Sequence, residues 1–507
     1  MAVSRSRKDL PRPMERATFV ERWAKGLELG SAAVFIGAGL SQRAGHPGWR
    51  RLLRDIAREL GLDIEEEHDL AAVAQYSVNR AVGKRNQLAR LIAKEFPPKS
   101  DAPEPFRLLA RLPLRHVWTT NYDSLPETAW HNERKLLDVK SRNEDLGIDK
   151  PWAHSIIYKM HGSVDHPADV VIAKDDNELY RSLRPGFLQV LTGHLVSKQF
   201  LFLGFSFTDP NLAHLFGSIR ESFKENGPEH YAIVRRPALG TGKSAKKRYE
   251  TELVRHRLWV EDLQRYGIQC VETDEYEEVD DILREVEMTL ARRSVMVSGS
   301  FPDMFDPVEL DRRRQIEAVA RGVGQLVVER GKRLVSGFGL VVGSASVAGA
   351  LGVVLKEDTP NLEKSLMLRP FPQETPPGID DAEFKRRYRE GLVQQVGACV
   401  VIAGEKIVDR AGRAERITAD GVLDECDAAW RIGRAVIPVG ATGGAAAEVW
   451  RKTEVDFDKH WPKAMRKEFD LLNDAARSPE DLVRGVGRFL DQLDQPAPRI
   501  TGKRKKA

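Results

Sequence analysis

Short apolar runs that end in glycine or small polar residues recur along this chain, with helix-like stretches between them. No other feature restricts its fold as much. In the first half the runs are "AAVFIG" at 32, "HVWTTN" at 116, "SIIYKMHG" at 155, "FLFLGFS" at 200 and "HYAIVRR" at 230. Apolar runs this short and this continuous suit strands buried on both faces, as in parallel sheets. Before the first run, Phe19, Trp23 and Leu27 recur at helical spacing, and after it "WRRLLRDIARELGL" predicts one helix with Trp49, Leu52, Leu53, Ile56, Ala57 and Leu60 on one face. Strands alternating with helices predict a doubly wound α/β sheet.

The grammar restarts after "DDILREVEMTLARR" (280 to 293), which reads as a closing helix. "SVMVSGS" at 294, "RLVSGFG" at 333, "ACVVIAGEK" at 398 and "AVIPVGATGG" at 435 then repeat it. A chain of 507 residues also exceeds what one core holds, since cores stop growing near roughly 250 to 300 residues. The expectation is therefore α/β with two Rossmann-like domains and mostly parallel sheets. Residues 1–18 are expected to be a flexible N-terminus, 19–290 and 291–490 the two domains, and 491–507 a basic tail.

Charge and cysteine usage exclude several classes. The 79 basic and 75 acidic residues leave a net charge of +4, so no overall field argues for nucleic acid or an anionic membrane. The terminal run "RITGKRKKA" has no interleaved aromatics and reads as a solvated tail. Cys270, Cys399 and Cys426 form no CxxC pair, which argues against a disulfide framework and against zinc. The N-terminus lacks an apolar signal segment. The most membrane-like stretch, "LVVGSASVAGALGVVL" (340 to 355), is shorter than a spanning helix and diluted by Gly and Ser. Cytoplasmic residence without membrane contact is the expectation.

Four turns at strand ends carry the candidate chemistry, because ligands of open parallel sheets sit beyond the carboxyl ends of the strands. "GAGLS" (37 to 41) lets backbone N–H groups approach a diphosphate, and a following helix would add its dipole; the same glycines also suit a tight packed turn. "TTNYD" (119 to 123) offers an amide and a carboxylate, or a helix cap. "KMHGS" (159 to 163) offers His161 as a base or as a packed imidazole. "LGFSFTDPNL" (203 to 212) adds Gly204 and Ser206, with Asp209 as a helix cap.

Taken together and in this order, GAG-LS, T-N-x-D, HG and G-x-S resemble the NAD-binding core of the sirtuin family over residues 20 to 285. The resemblance implies that Gly37, Ala38, Gly39 and Ser41 line a diphosphate site and that Gly204 and Ser206 lie near the adenosine half. It places Asn121 and Asp123 by the nicotinamide and its ribose, and His161 by that ribose's hydroxyls. Two features depart from the deacylase pattern. No paired CxxC zinc module exists, and "GHPGW" (45 to 49) stands where deacylases continue Gly-Ile-Pro-Asp-Phe-Arg. The resemblance thus implies NAD+ as a substrate that is cleaved, with Asn121 and His161 catalytic, no permanently bound cofactor, no metal and no acyl-lysine partner. Transfer of ADP-ribose to another acceptor, or a non-catalytic NAD-binding sensor or scaffold, are the alternatives.

The second domain places further small-residue turns at strand ends and resembles the SLOG superfamily over 293 to 485. Enzymes of that superfamily carry Pro-Gly-Gly-x-Gly-Thr-x-x-Glu, whereas this chain has "ATGGAAAE" (441 to 448), which favours ligand sensing over catalysis. Gly299 and Ser300 in "VSGSFPD", Arg369 in "LRPFPQ", Lys385 with Arg386 and Arg387, and Glu425 are the candidate sensing residues: cations for a diphosphate and a carboxylate for ribose hydroxyls. A sirtuin core joined to a SLOG domain resembles the effector family of the Thoeris antiphage system. That implies activation by a cyclic ADP-ribose isomer made by a TIR-domain partner, self-association into a tetramer or filament, and NAD depletion in abortive infection.

Overall fold

The structure is a computed structural model and describes residues 13–223, 228–241, 245–302, 307–372, 374–410 and 413–495. It divides into two compact units, between Glu287 and Met288. Most of the expected N-terminal segment and basic tail lies outside the described residues. Inside them, the first helix already begins at Arg16 and the last, Pro479–Asp494, runs past the expected domain end at 490.

The first unit is built on seven strands, β1 (Ala32–Ile36), β2 (His116–Thr119), β3 (Leu137–Lys140), β4 (Ser155–Lys159), β5 (Gln199–Leu203), β6 (His230–Arg235) and β7 (Ile268–Thr273), in the order β3-β4-β2-β1-β5-β6-β7. Every pairing is parallel. All carboxyl ends therefore open on one edge. β1 and β4 are buried at every position, which is why they read as unbroken apolar runs. β3 and β7 lie at the two edges, and their half-exposed sequences "LDVK" and "IQCVET" alternate and so escaped that pattern.

The helix Arg16–Glu28 buries Phe19, Trp23 and Leu27. The single helix expected from Trp49 is two pieces, Trp49–Leu52 and Arg54–Leu60. Leu53, at φ −92° and ψ 2°, departs from helical geometry, yet its N–H still bonds Trp49 O at 3.1 Å. The apolar face survives this local tightening, with Leu52, Leu53, Ile56 and Ala57 in the core.

In the second unit, β8 (Ser294–Ser298), β9 (Arg333–Ser336), β10 (Leu366–Leu368), β11 (Ala398–Ile402) and β14 (Ala435–Val439) form a parallel sheet in the order β10-β9-β8-β11-β14. An antiparallel hairpin, β12 (Glu405–Arg410) with β13 (Arg413–Thr418), is inserted after β11. The glycine-rich run after 340 is the helix Val342–Val354, packed on the helix Pro307–Glu329. A Cβ at Gly324 would collide with Ser346 O, and one at Gly349 with Arg321 O. Small residues there serve close helix contact, and no helix among the described residues is long and apolar enough to cross a membrane.

Candidate functional site

A cavity of about 1040 Å³ lies over the carboxyl edge of the first sheet. Its wall includes Ala38 and Gly39 after β1, Thr120 after β2, His161 after β4, and Gly204 and Ser206 after β5. The β1 and β5 turns lock together: Gly39 N–H donates to Gly204 O at 2.9 Å, and a Cβ at Gly39 would come within 2.9 Å of Gly204 Cα. Gly204 has a φ of +60°, which favours glycine. These contacts hold the two backbone turns against each other on the cavity wall, with the Gly39 N–H committed to Gly204 O. The helix that follows the glycine turn is only Ala38–Ser41 before a 3-10 turn, Gln42–Ala44, so the macrodipole expected there is that of a single turn and adds little.

Gly37 and Ser41 do not form the wall. They hold Asn121, whose Nδ2 donates to Gly37 O at 3.1 Å and to Ser41 Oγ at 2.8 Å. A carbonyl oxygen only accepts, so this pair settles which end of the amide is nitrogen. Thr119 Oγ1 donates to Ile36 O and accepts from Asn121 N–H, both at 2.9 Å, tying β2 to β1 just below. Asp123 Oδ1 caps the next helix through Leu125 N–H at 3.0 Å, while Oδ2 is buried without a hydrogen bond. Lys159, fully buried on β4, donates to Asp123 O at 2.6 Å and Glu127 Oε1 at 2.7 Å. The TTNYD turn is thus anchored from β1, β2 and β4.

His161 follows β4, its backbone carbonyl accepting from Val171 N–H at 2.9 Å. Its ring packs edge-on against Tyr180, and its Nε2 lies 3.0 Å from Asp209 Oδ2. The two atoms are close but not aligned as a hydrogen bond. Burial alone would raise the Asp209 carboxyl; the neighbouring His161 and the N–H groups of Leu212 and Asn211 outweigh it and hold the group below the usual carboxylate range. At the other end of the cavity Arg235 stacks over the Tyr276 ring at 4.3 Å, beside Trp259 and Thr273. Local sequence pattern does not mark Asp209, Arg235 and Tyr276 as site residues. The doublet ending "HYAIVRR" and the cap reading of Asp209 were the only signals available.

In the second unit, Gly299 and Ser300 follow β8 and Arg369 follows β10, on the same carboxyl edge. A Cβ on Gly299 would strike Ile402 O, and Ser300 Oγ already donates to Glu405 O at 2.9 Å. Arg369 is exposed, its N–H bonded to Ser336 O at 3.0 Å. Glu425 is buried in the helix Asp420–Arg431 and accepts from Ser298 Oγ; desolvation raises its carboxyl to about 7 despite that bond. Lys385 pairs with Asp381 at 2.8 Å, and Arg386 and Arg387 pair with Glu383, all along one exposed helix. The cation that acts on the Glu425 carboxyl is Arg389, which stacks on Phe371 at 4.7 Å and pairs with Asp424 at 3.1 Å.

Residues 115–258 match the SIR2-like domain family, and residues 278–493 match the Sir2- and TIR-associating SLOG family. The chain is 34% identical to "NAD(+) hydrolase ThsA" of Bacillus cereus (strain MSX-D12) over 478 residues, covering 94% of this chain and 98% of that protein. The chain belongs to the ThsA family. The ThsA of Enterococcus faecium is also 34% identical, over 90% of this chain and 95% of its own length. Outside the ThsA proteins, "Defense-associated sirtuin 2" of Bacillus subtilis is 26% identical over 220 residues, 41% of this chain and 21% of that one. The ThsA relatives therefore match both units, whereas this last match covers less than half of the chain.

Proposed function

We propose that the first unit hydrolyses NAD+ at the nicotinamide–ribose bond. The C1′–N bond breaks with its electron pair leaving on nicotinamide, a water oxygen bonds to C1′, and the proton that water loses passes to His161. The products are nicotinamide, ADP-ribose and one proton. Asn121, its Nδ2 held by Gly37 O and Ser41 Oγ, offers Oδ1 to orient the water or a ribose hydroxyl. The locked Gly39–Gly204 turns receive the diphosphate, and Arg235 with Tyr276 the adenosine end. The observation that carries this reading is the convergence of His161 and the glycine turns on one cavity, with Asn121 held by the turn after β1. The names of the ThsA relatives support it. NAD+ enters this reading as a substrate; the three cysteines are buried and none lines the cavity.

The second unit, in this reading, senses a cyclic ADP-ribose isomer supplied by a TIR-domain protein. Gly299, Ser300, Arg369, Lys385 and Glu425 make up its site. Binding drives self-association into a tetramer or filament and releases NAD+ depletion in the cytoplasm as Thoeris antiphage defence. Purified protein mixed with NAD+, with and without each cyclic isomer, tests both parts by release of nicotinamide. Isomer-dependent release is expected. No release with any isomer overturns the hydrolase reading, and ADP-ribose found attached to an acceptor other than water replaces it with transfer.

A further inference from the structure

We propose that Asp209 is the positioning carboxylate of His161, an inference that rests on the hydrolase reading above. Asp209 ends the β5 turn and its two oxygens do different things. Oδ1 accepts from Asn211 N–H at 2.8 Å and Leu212 N–H at 3.2 Å, which caps the helix Pro210–Phe223 and sets the plane of the carboxylate. Oδ2 thereby lies 3.0 Å from His161 Nε2, with the side chains only 8% and 7% exposed. In an ordinary surface cap the second oxygen faces water. Here it faces an imidazole on the wall of the same cavity.

An ionised carboxylate at that place acts on the ring in two ways. It favours the tautomer with the proton on Nε2, leaving Nδ1 as the ring's acceptor. As His161 takes a proton, Oδ2 also supplies the compensating charge in a site that excludes most water, where such a pair is worth more than at the surface. The turn that presents Asp209 is itself held in an unusual shape, with Phe207 at a φ of +57°, a conformation that side-chain-bearing residues adopt at a cost. The packing of Phe207 against Phe202, Phe205 and Trp259 holds it there.

Asp209→Asn separates this role from capping. Asparagine caps as well as aspartate, but it turns Oδ2 into an NH₂ that can only donate, which favours the opposite tautomer. In full-length protein activated by its isomer, Asp209→Asn is expected to lower kcat for nicotinamide release by about 10²- to 10⁴-fold. KM for NAD+ should stay within about twofold and Tm within about 2 °C, the signature of a group that acts on the proton carrier and not on binding or folding. Asp209→Ser, also a competent cap, should lose kcat comparably, and Asp209→Glu should recover part of it. Retention of kcat within about twofold in Asp209→Asn overturns the proposal, as does a loss explained by an equal rise in KM. A second readout does not depend on turnover: ¹⁵N NMR of the neutral His161 ring should report the proton on Nε2 in the wild type and on Nδ1 in Asp209→Asn. The same tautomer in both overturns the proposal even if the wild type releases nothing, whereas silence of the wild-type assay alone bears on the hydrolase reading.

Discussion

Asn121 Nδ2 donates to the Gly37 carbonyl oxygen at 3.1 Å, so the turn after β1 orients the side chain offered by the turn after β2. Removing the amide strands two buried groups, Gly37 O and Ser41 Oγ. Asn121→Ala is expected to abolish nicotinamide release, at least about 10²-fold, while costing about 1–3 kcal/mol of stability. Activity assays paired with denaturant melts check both; full turnover in the variant removes Asn121 from the reaction.

Gly37 offers a contrasting test, because its own requirement is steric. A Cβ there would fall inside contact distance of Gly204 O. Gly37→Ala should push the two turns apart, costing about 1–3 kcal/mol of stability and weakening NAD+ binding. Isothermal titration with NAD+ against the His161→Ala protein, which keeps the turns intact, supplies the comparison.

Lys159 is buried with its ammonium on Glu127 and on the Asp123 carbonyl. Truncation leaves Glu127 without its partner, and breaking a buried pair from one side costs about 3–5 kcal/mol. Lys159→Ala should show that loss in urea unfolding of the first unit. Lys159→Met, which retains the stem, should recover part of it.

The carboxyl of Glu425 gives the second unit a pH dependence. Its value in the fold is raised to about 7 by burial, so the folded state keeps a proton that the unfolded chain has already released. The stability this contributes is full below the unfolded value of about 4.3 and is lost as pH rises through about 7. Tm of the second unit's transition should therefore fall across that window, and Glu425→Gln should flatten the slope. An unchanged slope in the variant would assign it to another group.

Much of this architecture can be read from local pattern. β1, β4 and β5 are buried and read as unbroken apolar runs, and the glycine turns after β1 and β5 announced themselves by composition. What local pattern missed depends on position in the sheet. β3 and β7 are edge strands with one face toward water, and the β12–β13 hairpin is polar along much of its length. Asp209 was legible as a cap because capping is a relation between near neighbours. Its second partner, His161, is 48 positions away by residue number and meets it only because the turns after β4 and β5 open on one edge. Lys385, Arg386 and Arg387 are legible in sequence as a run of cations, whereas their pairing with Asp381 and Glu383 on the same helix is visible only in the fold.

The strand order of the first sheet also sets a length scale. From β4, which presents His161, to β6, which presents Arg235, the order passes through β2, β1 and β5; with neighbouring strands about 4.8 Å apart, the four steps span roughly 19 Å. The sheet edge thus works as a ruler. A dinucleotide can touch both marks, with its diphosphate over the glycine turns between them. A mononucleotide seated at His161 ends near the middle and leaves the Arg235–Tyr276 end unread.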